Sequence, residues 1–341
     1  MEGLTRKEKI EVLAALGAYL LESDERLAAH VHRASVSNPW FTKENIYFAL
    51  DSIAREFLDA EALHAWLAHY PERPDPLRTV GLIAAGNVPL VGFHDVLSVF
   101  AAGHRTQLKV SERDQYLIPF LLKRLGELDP RAIPYFEIAE TLSGFDAVIA
   151  TGSNNSARYF KQYFGKYPHI IRMNRNAVAV LDGNESEEQL RNLCTDIFRF
   201  FGLGCRSVSH LFVPEGYEFD DLRQALQQWE EVSQHHKFRN NLDYNSAIYI
   251  LNKEPHIGLP NLLLVEKEPL ISPVGCLFYS HYASTDELER RLLAQAGEIQ
   301  CVVSDLALTN IKPVPLGQAQ RPRLDDYADG VNTLDFLFNL A

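Results

Sequence analysis

Thr79-Val80-Gly81-Leu82-Ile83-Ala84-Ala85-Gly86-Asn87-Val88-Pro89 is the stretch that decides how this chain folds. A short apolar run ends in a glycine–asparagine turn, and an apolar segment over 90–100 follows with helical spacing. Pro89 is expected at the first helical position, where its missing N–H removes nothing. Gly103 is expected to stop that helix, and Thr106-Gln107-Leu108-Lys109-Val110 reads as a second strand. A helix over about 115–127, a strand over 145–150, the turn Thr151-Gly152-Ser153 and a helix to Tyr163 repeat the pattern. Strands and helices alternating at these lengths predict right-handed βαβ units and a parallel sheet. Ligands on such sheets bind beyond the carboxyl ends of strands, which puts Asn87, Lys109 and Thr151 on one rim.

Upstream, residues 5–70 read as helices. Thr5 with Glu8 makes a capping box ahead of Ile10, Leu13, Leu16 and Leu20 at helical spacing. Trp40, Phe41, Tyr47 and Phe48 read as the core of that helical layer, with an apolar channel as the alternative. Downstream, strands are expected at 169–172 and 177–181. A helix capped by Ser186 and Gln189 then runs to Phe201, with Cys194 on its apolar face. Further strands are expected at 208–213, 247–251, 262–265, 274–279 and 299–303. A helix covers 217–228, and Ser284 with Glu287 caps another. Residues 313–330, rich in Pro, Gly and Asp, read as loop returning to the body.

A chain of 341 residues can bury a large core and suggests more than one domain. Its hydrophobic content of 46% and charged content of 23% are those of an ordinary soluble protein. A formal net charge of -12 argues against a general nucleic-acid or acidic-membrane surface. The most apolar run, 80–102, is broken by Asn87, His94 and Asp95, so no membrane span is expected. The start of the chain lacks a signal peptide's apolar core. The four cysteines, at 194, 205, 276 and 301, are too far apart for a metal cluster, so reduced thiols in a cytoplasmic protein are the simplest reading.

The chemistry concentrates around Phe200-Phe201-Gly202-Leu203-Gly204-Cys205-Arg206-Ser207. Two glycines let the backbone turn between a helix and a strand, and the thiol sits at that corner. Arg206 favours a thiolate if it points the same way; the alternative is a buried, inert cysteine. On the rim, Asn87 is either an oxyanion donor or a helix cap, the cap being the commoner role. Lys109, Ser111 and Glu112 follow a strand, where a lysine and a carboxylate can hold a nucleotide's ribose or phosphate, or form a solvated pair. Thr151, Gly152 and Ser153 lead into a helix whose N–H groups suit a pyrophosphate. A GxGxxG fingerprint is absent.

In this order and spacing the motifs resemble the aldehyde dehydrogenase superfamily, and within it the LuxC-type acyl-CoA reductases. The resemblance rests on AAGNVPLVGFHD, the strand ending in Lys109, AVIATGSNNSARYF, HIIRMNRNAVAVLDGN, FGLGCRSVSHLFVP and GQAQRPRLDDYADGVNTLDFL. It implies an aldehyde dehydrogenase-like α/β fold. Residues 1–77 would be a helical N-terminal region, 78–172 a nucleotide-binding domain, 173–312 a catalytic domain and 313–341 a returning tail. It also implies that Cys205 is the nucleophile and Asn87 the oxyanion amide. Lys109, Ser111 and Glu112 would hold the adenosine ribose, and Thr151, Gly152 and Ser153 the pyrophosphate and nicotinamide.

Two departures bear on the chemistry. The superfamily's hydrolytic members carry a general-base Glu where this chain has Ile171-Arg172-Met173-Asn174-Arg175, a stretch with no carboxylate. Glu268 lies one residue away from the place of the usual nicotinamide-ribose Glu. The implied activity is therefore NADPH-dependent reduction of an acyl-CoA or other acyl thioester, of long chain, to the aldehyde through an S-acyl cysteine. NADH is the alternative cofactor, since Glu112 suits free ribose hydroxyls. Oxidative CoA-acylating aldehyde dehydrogenation and a non-catalytic acyl-binding subunit are the rival functions. The resemblance further implies a homo-oligomer, an acyl-transfer protein as a candidate partner, and no metal.

Overall fold

The computed structural model describes residues 3–22, 24–72, 74 and 76–340, apart from the side chain of Asn154. It divides into two compact units, Met1–Asn174 with Pro322–Ala341, and Arg175–Arg321.

The first unit opens with helices α1 (Arg6–Glu22), α2 (Glu25–Ser37), α3 (Lys43–Ser52) and α4 (Ala60–Leu67). Glu8 accepts from the Thr5 amide at 2.8 Å, as the capping box requires. Ile10, Leu13, Leu16 and Leu20 line the buried face of α1. Phe41 is buried and Trp40 packs on the same core, whereas Tyr47 is exposed.

Five strands follow: β1 (Thr79–Ile83), β2 (Arg105–Lys109), β3 (Phe136–Ile138), β4 (Ala147–Thr151) and β5 (His169–Arg172). They form one sheet in the order β3-β2-β1-β4-β5, every pair parallel. Helices α5 (Phe93–Ala102), α6 (Leu117–Leu128) and α7 (Asn154–Phe164) connect them. β1 is central and its neighbours run outward on either side, so the strand order reverses between β1 and β4.

Pro89 does not start α5. The chain makes turns through residues 88–92, and Gly92 is the N-cap of a helix beginning at Phe93. Leu90 takes a left-handed φ of 59°, which no helix continues through. Gly103 does end α5, at a φ of 98°.

The second unit contains β6 (Asn176–Val180), α8 (Glu187–Phe198), β7 (Val208–Pro214), α9 (Asp220–Gln227), α10 (His236–Asn252), β8 (Ile257–Gly258), β9 (Leu263–Glu266), β10 (Cys276–Tyr282), α11 (Thr285–Ala294) and β11 (Ile299–Val303). Its sheet runs β11-β6-β7-β10-β9-β8, parallel except for the β8–β9 pair. The Ser186–Gln189 capping box forms as expected.

Two expectations fail here. Residues 247–251 are not a strand but the last turns of α10, whose buried residues Phe238, Leu242, Asn245 and Tyr249 recur at helical intervals. The helix ahead of Cys205 ends at Phe198, not Phe201. Phe200 and Phe201 have φ of 55° and 58°, a left-handed turn that breaks the helix before either glycine is reached.

The chain ends with α12 (Thr333–Phe338), within the first unit. There the Trp66 indole N–H donates to the Tyr327 hydroxyl at 2.7 Å, and the Tyr70 hydroxyl donates to Asp335 at 2.6 Å.

Candidate active site

In the first unit the register decides what meets. Ile83, the last residue of β1, lies beside Lys109 on one side and Ala150 on the other. The loops after β1, β2 and β4 therefore leave the sheet at one level, at the carboxyl edge where the strand order reverses. That is where open α/β sheets bind ligands. Asn87, Lys109, Ser111, Glu112, Thr151, Gly152 and Ser153 all lie on these loops or at the strand ends.

Close backbone approach joins the loops. A Cβ built on Gly86 would fall 2.3 Å from the Ser111 hydroxyl oxygen and 2.7 Å from its Cβ, so only glycine fits there. Ser111 also caps the short helical turn Glu112–Asp114 by accepting from the Arg113 amide. Lys109 and Glu112 are exposed on this rim. A Cβ on Gly152 would lie 2.9 Å from both Phe160 and Ser156, so the glycine lets the first turns of α7 close over the end of β4. Ser153 caps α7, its hydroxyl accepting from the Ser156 amide at 3.2 Å. These features fit a nucleotide: a glycine at the strand–helix turn, first-turn amides, hydroxyls, and a lysine with a carboxylate.

The half-buried Asn87 is not the cap of α5, a role that falls to Gly92. Its loop is pinned by a residue that reads in sequence as one charge in a polar run, Asp114. That side chain is buried and accepts from the Leu90 amide at 2.7 Å. Burial pushes the Asp114 carboxyl up to about 7, against the Leu90 and Leu117 amides, which pull it down. Only burial distinguishes it from its exposed neighbours Glu112 and Arg113, so no sequence signal was there to find.

At 171–175, the stretch that the family resemblance matches to the general-base segment of hydrolytic members, Arg172 is buried in an ion pair with Asp95 and donates to the Thr333 hydroxyl at 3.0 Å. Arg175 reaches the Ala296 and Ile299 carbonyls at 3.4 Å each.

Cys205 belongs to the second unit. The Ser207 amide donates to the Gly204 carbonyl at 3.0 Å, closing a turn with Cys205 and Arg206 at its two central positions. Three consecutive left-handed residues, Phe200, Phe201 and Gly202, lead into it. Left-handed phenylalanines are costly and persist where packing over-determines them. Both rings are buried, and Phe201 stacks on His235 with centroids 4.2 Å apart. Cys205 is half-buried, while Cys194 and Cys276 are buried and burial pushes each of their thiols up to about 12. Neither is a thiolate at neutral pH. Glu268 is exposed and pairs with Arg291 at 2.9 Å.

Among the described residues no cluster of His, Cys, Asp and Glu could hold a metal ion, and no helix is long and apolar enough to cross a membrane.

The sequence model of the family described as acyl-CoA reductase (LuxC) matches residues 6–264. No curated protein matches. Among solved structures, aldehyde dehydrogenase 21 from Physcomitrella patens, in complex with the reaction product succinate, superposes with a TM-score of 0.69 at 13% identity, over 98% of this chain and 84% of that one. An acetylating aldehyde dehydrogenase from Geobacillus thermoglucosidasius gives 0.61 at 14%, over 94% and 86%. Aldehyde dehydrogenase C from Pseudomonas syringae, as a mutant complexed with NAD+ and octanal, gives 0.62 at 15%, over 90% and 73%. At these identities the likeness is one of fold, and the fold is aldehyde dehydrogenase-like.

Proposed function

This chain belongs to the LuxC acyl-CoA reductase family, and from that premise we propose that it reduces a long-chain fatty acyl thioester to the aldehyde with NADPH, through an S-acyl intermediate on Cys205. Cys205 at the centre of a hydrogen-bonded turn, in a chain whose segment 171–175 offers no carboxylate, is the observation that carries this reading. Lacking a carboxylate, this segment supplies no activator for a water that would hydrolyse the acyl-enzyme. Arg172 of that stretch is committed to a buried ion pair with Asp95.

The Cys205 thiolate attacks the thioester carbonyl, and the CoA thiolate leaves with the electron pair of the broken C–S bond. The Cys205 N–H holds the carbonyl oxygen while it carries negative charge, as the acyl group arrives on sulfur and again as it departs as aldehyde, and the family resemblance assigns the same role to the Asn87 amide. When bound, the nicotinamide supplies the hydride. Lys109, Ser111 and Glu112 hold the adenosine end, and Thr151, Gly152 and Ser153 the pyrophosphate. The NAD+ complex of the Pseudomonas syringae neighbour supports a nicotinamide cofactor. Lys109 and Arg113 favour a 2′-phosphate and Glu112 opposes it, so the choice of NADPH rests on the family.

Intact-mass analysis tests this with hexanoyl-, dodecanoyl- and palmitoyl-CoA, first without and then with NADPH. An acyl adduct on Cys205 that NADPH discharges, absent from Cys205→Ala, is the expected result. Full reductase activity in Cys205→Ala would refute it.

A further inference from the structure

We propose that Gln320 is a positioning residue for Cys205, its side-chain amide holding the turn that presents the thiol. The proposal rests on the reading of Cys205 as the nucleophile. Gln320 lies in the segment Gly317-Gln318-Ala319-Gln320, more than a hundred residues after the turn and within the same unit. Its Nε2 donates to the Arg206 carbonyl at 3.0 Å and reaches the Ser207 hydroxyl at 3.5 Å. The Ser207 hydroxyl in turn accepts from the Gly204 amide at 3.2 Å. Residues on both sides of Cys205 are thus tied to one side chain. The amide orientation is required: the Asp196 carbonyl, at 3.4 Å, and the Arg206 carbonyl both face this atom, and only the nitrogen can donate to them.

Gln320 is itself held from below. Asp196, on α8, accepts from the Gly317 amide at 2.6 Å and the Ala319 amide at 3.0 Å. Gly317 has a φ of +87°, and a Cβ there would fall 2.8 Å from the Asn192 Cβ, so this loop sits directly on α8. Asp196 and Ser207 are fully buried and Gln320 nearly so. A buried chain of bonds of this kind, running α8 to loop to turn, gives the turn one arrangement rather than many. A thiol attacking a carbonyl depends on placement, and small errors of position cost large factors in rate.

The test uses the full chain and three variants. Gln320→Met keeps the volume and loses the donor, Asp196→Asn keeps one acceptor oxygen, and Cys205→Ala removes the thiol. Two readouts are taken: hydrogen exchange in the peptide spanning 203–208, and the rate of dodecanoyl transfer from dodecanoyl-CoA to Cys205 without dinucleotide. Thermal melting and NADPH affinity are controls, and Asp196→Asn serves should Gln320→Met fail to fold. Expected for Gln320→Met are exchange at least tenfold faster, acylation at least tenfold slower and NADPH affinity within twofold of the parent. Asp196→Asn should fall between. Exchange and acylation both at parental values in Gln320→Met would overturn the proposal while leaving the nucleophile in place. A parental protein that acquires no adduct, with exchange still accelerated in Gln320→Met, would overturn the nucleophile and leave Gln320 a purely structural brace.

Discussion

Gly86→Ala should break the rim where the β1 and β2 loops meet, and Ser111→Gly should repair it. The added Cβ would lie 2.3 Å from the Ser111 hydroxyl, 2.7 Å from the Ser111 Cβ and 3.0 Å from the Arg113 Cβ. The first two contacts are closer than any real pair of such atoms, and Ser111 is short, so the loops themselves must separate. Forced overpacking of this kind costs about 1–3 kcal/mol. Ser111→Gly alone removes only a cap on a three-residue turn, a few tenths of a kcal/mol. In the double variant the two severe contacts are gone and the 3.0 Å approach to Arg113 remains. The double variant should therefore recover roughly 1–2 kcal/mol relative to the sum of the single effects. Urea unfolding of the four proteins measures this, with unchanged m-values as the condition for reading midpoints as stability. Initial rates against NADPH concentration give the functional side: the same separation moves Lys109 and Glu112, which the proposed function puts at the adenosine ribose, and on that proposal should raise the KM for the dinucleotide in Gly86→Ala alone. A Gly86→Ala protein as stable as its parent, or equally destabilised with and without Ser111, would refute the close approach.

Lys9 is buried and its ammonium donates to the Ala101 carbonyl at 3.0 Å; burial pulls its pKa down to about 8. Lys9→Met should stabilise the protein at pH 7 by about 1–2 kcal/mol once the lost hydrogen bond is deducted, and a lower Tm at pH 7 would contradict it. That advantage shrinks as pH rises from 8 to 10.5, where the unfolded chain holds a proton that folded Lys9 does not. His210, buried between the Pro269 carbonyl at 3.0 Å and the Ser280 hydroxyl at 2.9 Å, is pushed down by burial to about 4. Between pH 6.5 and 4 the unfolded chain takes up a proton that folded His210 refuses. This group alone should remove on the order of 3 kcal/mol across that window. His210→Gln should flatten the acid limb measured by urea midpoints against pH, and an unchanged limb would count against it. Asp196, raised by burial to about 7, acts in the opposite sense, its stability contribution being lost as pH climbs from 3.8 to 7. On the proposed placement of Glu112 at the adenosine ribose, Glu112→Gln should lower the KM for NADPH about three- to tenfold by removing a charge that would repel a 2′-phosphate, and leave that for NADH unchanged or higher; equal effects on both cofactors would displace Glu112 from the ribose.

Local pattern was enough to read much of this chain. The strand–helix alternation from Thr79 to Arg172 is written as apolar runs between turn residues, and the four strands read there, at 79–84, 106–110, 145–150 and 169–172, all joined one parallel sheet. Its short edge strand β3, with two of its three residues exposed, carries no apolar run and was not legible. Ser186 and Gln189 named their own capping box because that motif is local chemistry. The run Ala247-Ile248-Tyr249-Ile250-Leu251 misled for the same reason. Five apolar residues, two of them β-branched, suit a strand, yet Ile250 and Leu251 are exposed at the end of a helix whose buried face starts at Phe238.

What tertiary structure alone decided was which buried groups hold the candidate site. Sequence by itself determined the order of strands and helices, the family, and the residue types at Asn87, Lys109 and Cys205, because periodicity and short motifs are properties of neighbours in the chain. Nothing in that string separates Asp114 from Glu112, or tells that Gln320 reaches Arg206 across more than a hundred residues. Nor does it say that Phe200 and Phe201 turn left-handed ahead of the glycines meant for that purpose. Those outcomes depend on desolvation and packing among distant segments, which exist only once the chain has folded.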